Sequence, residues 1–110
     1  MTPTGFFKCL GDPTRLRALL LLTGRAPLCV CDLQRALGES QPKVSRHLSE
    51  LRACGLVATT RQGRWIYYAL APSLPPWAQD LLRTLKDEGV EGLADAEARL
   101  GTPLPCGDAA

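Results

Sequence analysis

The stretch SQPKVSRHLSELRACGLVATTRQGRWIYYAL, residues 40–70, decides the fold because its hydrophobic period changes halfway. Val44, Leu48 and Leu51 recur at i, i+4 and i+7, the spacing of one apolar helix face. Ser40 stands where an N-cap is expected, Pro42 falls in the first turn, and Gly55 closes the helix. From Leu56 onward Val, Thr, Trp, Ile and Tyr take over, with Gln62-Gly63 in the middle. That half predicts a β-hairpin, with Gly63 supplying positive φ at the turn and Arg61 and Arg64 flanking the tip.

On the N-terminal side, Leu33, Ala36 and Leu37 form a short apolar face that Gly38 ends. Two short helices joined by a tight turn containing Gly make a helix-turn-helix, and a basic-tipped hairpin directly after it makes a winged helix. Further upstream, Asp12 and Pro13 open a helix carrying Leu16, Leu19 and Leu20, ended by Gly24. Residues 5–10 predict a shorter helix with Phe6, Phe7 and Leu10 on its apolar side. Downstream, Pro72, Pro75 and Pro76 mark a break. A last helix starts near Trp77, with Leu81, Leu82 and Leu85 on one side, and continues or restarts through residues 90–100, weakened by Gly89 and Gly92. The expected class is mainly α with a small β-hairpin (α+β): a dimeric winged helix-turn-helix over residues 1–100, then a mobile Pro/Gly-rich tail at 101–110.

A chain of 110 residues with 45% hydrophobic and 22% charged residues suits one globular domain. No apolar run approaches the roughly 20 residues of a membrane span, and the start lacks a signal-peptide pattern. The expectation is a cytoplasmic protein with no membrane partner. Charge is unevenly spread. Residues 1–40 hold five Lys/Arg and three Asp/Glu (+2), residues 41–76 five and one (+4), and residues 77–110 three and seven (−4). The middle third is therefore the candidate polyanion surface. In a winged helix the second helix of the helix-turn-helix enters the major groove, with its N-terminal residues nearest the bases. Those are Gln41, Lys43, Ser45, Arg46 and His47, with Ser40 at the cap. Gln can bond adenine and Arg guanine bidentately, while Ser and Lys hold phosphates. Arg61 and Arg64 would neutralise phosphate or enter a minor groove. Arg52 is expected to be a solvated charge or a helix-end partner, and Trp65, Tyr67 and Tyr68 to pack the hairpin, with DNA stacking as the lesser option.

Five cysteines, at positions 9, 29, 31, 54 and 106, cannot all pair in one closed disulfide set. In a reducing compartment, clustered cysteines point to metal or redox chemistry. Cys29 and Cys31, in PLCVCDL at residues 27–33, fall at a helix start. Cys29 with Asp32 forms a weakened capping box, Cys-x-x-Asp. The positive end of the helix dipole favours thiolate, the form that binds soft ions. Residues i and i+2 do not share a helix face, so one ion held by both sulfurs needs a non-helical first turn. Cys54, beside Gly55, is expected to be a small packing residue.

From Phe6 to Trp77 the chain resembles the ArsR/SmtB family of metal-responsive bacterial repressors, through LGDPTRLRALLLL, LCVCDLQRALGESQPKVSRHLSELRACGLV and RQGRWIYYAL. LCVCDL is similar to the inducer site of the arsenite-responsive type. The resemblance implies a homodimer on an imperfectly palindromic operator duplex, released when As(III) or Sb(III) binds Cys29 and Cys31. Arsenite prefers three thiolates, and the arsenite-type pattern CVCDLC supplies a third. Here position 34 is Gln. The third ligand is then Cys9, Cys106 or no protein group; related sensors of larger ions, which recruit an N-terminal cysteine from the partner subunit, favour Cys9. Alternatives within the fold are Cd(II) or Pb(II) sensing and a thiol-redox switch. A Zn(II) or Ni(II) site in the C-terminal helix is disfavoured because residues 77–100 contain no His.

A thiol enzyme would want CxxC near a βαβ unit. The spacing here is CxC, and no Gly-rich phosphate loop or Ser-His-Asp set accompanies it. The expectation is a binder with no catalytic cofactor. Phe6, Phe7 and Leu10, with Trp77, Leu81 and Leu85, are the apolar surfaces left for a dimer interface, though the two helices could also pack on each other within one chain.

Overall fold

The computed structural model describes residues 1–101. The chain runs α1 (Pro3–Cys9), α2 (Pro13–Leu22), β1 (Leu28–Cys29), α3 (Val30–Leu37), α4 (Gln41–Ala53), β2 (Val57–Gln62), β3 (Trp65–Leu70), α5 (Pro76–Glu88) and α6 (Leu93–Leu100). Helices α3 and α4 are the helix-turn-helix and β2–β3 is the wing. The tail expected at 101–110, with Cys106, lies outside the described residues apart from Gly101.

Local chemistry sets the boundaries. Asp12 Oδ2 accepts from Thr14 N at 2.9 Å and Arg15 N at 3.0 Å, so two otherwise unpaired amides of α2 are satisfied. Gly38 adopts φ 66° and closes α3, its N–H donating to Gln34 O at 3.0 Å. Ser40 does occupy the N-cap of α4, in extended backbone, but its hydroxyl makes no cap hydrogen bond. The α5–α6 junction resolves as a restart: Gly89 and Gly92 both take positive φ, which breaks the helical path.

The core forms around α2. Leu19, Leu20, Leu21 and Leu22 are all buried, so this helix is covered on every side at its C-terminal half rather than along the single face expected. Around it pack Leu33, Ala36 and Leu37 of α3, Val44, Leu48 and Leu51 of α4, Leu82 of α5, and Leu93, Ala96 and Leu100 of α6. Each fully buried Leu contributes about 1.5–3 kcal/mol. Helix α6 also clamps α3: Arg99 Nε donates to Ala36 O at 2.8 Å, and Arg35 Nη2 to Leu100 O at 3.2 Å.

The sheet has the order β1-β3-β2, all antiparallel. Gln62 pairs with Trp65, so the hairpin loop is Gly63-Arg64, with Gly63 at φ 64°. The third strand is an addition to the expected hairpin. Leu28 pairs with Tyr68 and Cys29 with Tyr67. Two residues are too few for an alternating pattern to show; the partner strand creates this one. Among the described residues no helix is long and apolar enough to cross a membrane.

Candidate functional site

On α4, Gln41 and Arg46 are exposed, and Lys43 and Ser45 are half-buried. Lys43 Nζ lies 3.2 Å from Glu39 Oε2. Arg46, with a side chain 66% exposed, is 4.0 Å from Glu50 Oε1. That contact is long and screened, so the guanidinium can leave it for a phosphate or a base at little cost. On the wing, Arg61 Nε donates to Gly63 O at 2.9 Å, and Arg64 lies 5.9 Å from the Trp65 ring centroid. Both arginines are exposed, and Trp65, Tyr67 and Tyr68 are half-buried.

His47 departs from the expected set. It is 6% exposed and faces inward, because it lies three residues after Val44 and four before Leu51 on the buried stripe. Its Nε2 is 3.7 Å from Asp12 Oδ2 and its Nδ1 is 3.9 Å from Glu50 Oε2. Neither ring nitrogen has a hydrogen-bond partner among the described residues. A ring so enclosed does not reach a groove, so the structure removes His47 from the DNA-facing group. Glu50 was not foreseen as a hub: it also pairs with Arg15, whose Nε donates to Cys9 O at 2.6 Å. At Asp12, burial would raise the carboxyl pKa. Hydrogen bonds from Arg15 N and Thr14 N and the positive charge of His47 and Arg15 outweigh this, and the net shift is downward from 3.8.

Cys29 and Cys31 sit on either side of the start of α3. Cys29 is the N-cap, in extended backbone, and 1% exposed. Cys31 is in the first turn and is a free, exposed thiol. The capping box forms as expected. Asp32 Oδ2 lies 3.4 Å from Cys29 N and 3.3 Å from Cys29 Sγ, and Asp32 Oδ1 is 3.4 Å from Arg35 Nη2. Cys29 is at the same time a residue of β1, opposite Tyr67 of the wing. One cysteine therefore touches both the wing sheet and the support helix, a junction that spacing alone did not reveal.

The other cysteines lie elsewhere. Cys9 is bonded to Cys54, with Cα atoms 6.6 Å apart, and so is not presented to Cys29 and Cys31 within the protomer. Cys54 is exposed and cross-linked, which corrects its expected role as a packing residue. Cys106 lies outside the described residues. Among the described residues no group of three or more His, Cys, Asp or Glu is assembled to hold a metal ion.

The expected dimer surface divides. Phe6 and Leu10 are buried in the protomer, with the Phe6 ring edge-on to Trp77 at 5.3 Å and to Phe7 at 5.4 Å. The alternative to a dimer contact, packing of the two end segments on each other within one chain, is thus met at Phe6 and Trp77. Phe7 remains 55% and Trp77 37% exposed, with Leu81 and Leu85 half-buried.

Comparison with known proteins gives consistent results. The family model "Bacterial regulatory protein, arsR family" matches residues 12–59, from the cap of α2 into β2. The chain is 47% identical over 100 residues to the arsenic resistance transcriptional regulator ArsR2 of Pseudomonas putida, covering 91% of this chain and 87% of that protein. It is 49% identical over 82 residues to the arsenical resistance operon repressor of Escherichia coli, covering 74% and 70%. The homodimeric winged helix-turn-helix DNA-binding domain of Mb0332 from Mycobacterium bovis superposes with a TM-score of 0.65 at 28% identity, covering 80% of this chain and 81% of that one. The chain thus belongs to the ArsR family of bacterial transcriptional regulators, DNA-binding winged-helix proteins and not enzymes.

Proposed function

We propose that this protein is a homodimeric repressor whose operator affinity falls when reduced Cys29 and Cys31 capture a trivalent arsenical or antimonial. The observation that carries this is the double placement of Cys29, as N-cap of α3 and as partner of Tyr67 on the wing strand. Arsenite condenses with two thiols, forming two As–S bonds and releasing two waters. For both sulfurs to meet one atom, buried Cys29 and exposed Cys31 must turn toward each other. The first turn of α3 then has to open, with Asp32 pulled from Cys29. Helix α3 packs beneath α4, so the exposed Gln41 and Arg46 shift with their support, and loss of the β1–β3 pairing would displace the wing.

DNA contact falls to Gln41, Lys43, Ser45 and Arg46 on α4, near the Ser40 cap, and to Arg61 and Arg64 on the wing. The Phe7–Trp77 surface, with Leu81 and Leu85, forms the dimer contact, and two-fold symmetry matches an imperfectly palindromic operator. A weakening of about 100-fold needs only about 2.7 kcal/mol of coupling. The third coordination position is open to Cys9 in its reduced form, to Cys106 or to water.

The test is operator anisotropy with reduced protein, titrated with As(III), Sb(III), Cd(II) and Zn(II), on wild type and each Cys→Ser variant. Release by As(III) or Sb(III) that requires Cys29 and Cys31 is the expected result. Release by Cd(II) alone would reassign the inducer, and release without either cysteine would reject the site.

A further inference from the structure

Two of the described cysteines, Cys9 and Cys54, lie apart from the proposed sensing pair and form a site of their own. Cys9 ends α1 and Cys54 is the C-cap of α4; they are joined across 45 residues of sequence. The bond therefore ties the short helix beside the apolar surface to the end of the recognition helix opposite Gln41. Their positions are also held by contacts that do not involve sulfur. Arg15, at the start of α2, donates to Cys9 O and pairs with Glu50, one turn before Cys54. A dithiol held in this way has a high effective concentration for ring closure. The two sulfurs differ in access: Cys54 is exposed and Cys9 is buried.

We propose that Cys9 and Cys54 are a second thiol site, a reversible disulfide staple that stabilises the DNA-competent fold and does not release DNA. With a hydroperoxide as oxidant, exposed Cys54 reacts first. Its sulfur takes one peroxide oxygen as the O–O bond breaks, giving a sulfenic acid and the first water. Cys9 then attacks that sulfur, the S–S bond forms, the S–O bond breaks, and a second water leaves with the remaining thiol proton. Two thiols and one hydrogen peroxide thus give one disulfide and two waters. Two equivalents of a small thiol, attacking first at exposed Cys54, restore the dithiol. The outcome differs from that at Cys29 and Cys31 because the linked structure keeps α4 intact, with Gln41 and Arg46 facing outward.

The test uses the full-length chain, fully reduced, then treated with one equivalent of hydrogen peroxide or with oxidised glutathione, followed by alkylation and tryptic mapping. The expected product joins the peptides 9–15 and 53–61, in wild type and in Cys29→Ser/Cys31→Ser alike. Its formation should raise Tm by about 15–30 °C, given the 45-residue separation of the two cysteines. Cys54→Ser, at an exposed position, should fold and lose that rise. Oxidised Cys29→Ser/Cys31→Ser should hold operator within threefold of its reduced form. Alkylated or glutathione-capped Cys54 beside free Cys9 would overturn the proposal. So would a linked protein with unchanged Tm, or one that binds operator tenfold more weakly.

Discussion

If opening the start of α3 is what lowers operator affinity, a substitution that loosens that turn should act as a partial inducer with no metalloid present. Asp32→Ala is the perturbation. It removes the carboxylate that lies 3.4 Å from Cys29 N and 3.3 Å from Cys29 Sγ. Loss of such a cap costs about 1 kcal/mol, within about 0.5–2. The contact with Arg35, whose side chain is half-exposed, adds about 0–1 kcal/mol. Tm should therefore fall by about 4–8 °C, the shift that roughly 1 kcal/mol produces in a domain of this size. Both protomers carry the change, so about 2 kcal/mol is available per dimer. At that central value the loss of operator affinity reaches about 30-fold. Asp32→Asn keeps an acceptor for Cys29 N and should lose less on both scales. Thermal melting and anisotropy on reduced, metalloid-free protein measure the two effects. A lowered Tm with operator affinity unchanged within twofold would refute the idea that the start of α3 supports the DNA-reading helix.

Arg46→Ala should leave Tm within about 1 °C, because only a long surface ion pair is lost, and should weaken operator binding about tenfold or more in anisotropy titrations. Asp12→Ala should cost about 1 kcal/mol at neutral pH through loss of the α2 cap, read by urea melts. The pKa of Asp12 is lowered on folding, so its stabilisation is present above its ordinary value of 3.8 and is lost as pH falls through the lower folded value. The gap between variant and wild type should accordingly close only below about pH 4. Phe7→Glu places a charge on a ring 55% exposed in the protomer; sedimentation should show a folded monomer, and an undisturbed dimer would move the interface elsewhere.

Much of the architecture was legible because each helix carries its own punctuation. Asp12-Pro13, Gly38 and Ser40 mark boundaries through chemistry that acts within four residues. The period change after Gly55 separates helix from wing for the same reason. Features that depend on distant partners left no such trace. Strand β1 exists only because β3 is beside it, and the Cys9–Cys54 link joins positions 45 residues apart. His47 is a different case: its offset from Val44 and Leu51 already placed it on the buried stripe, but its place among the N-terminal residues of the second helix of the helix-turn-helix suggested a DNA contact. The apolar end segments were legible as sticky. How they divide between Phe6 and Leu10 inside the protomer and Phe7 and Trp77 at its surface depends on packing angles that a sequence does not display.

Amide hydrogen exchange at Val30–Leu33 in the reduced protein, with and without arsenite, tests most directly whether the bound metalloid opens the first turn of α3. The expected result is faster exchange in that turn on arsenite addition, in wild type and not in Cys29→Ser/Cys31→Ser, under the same conditions in which wild type leaves its operator. Unchanged or slower exchange there while operator is released would contradict the proposed coupling.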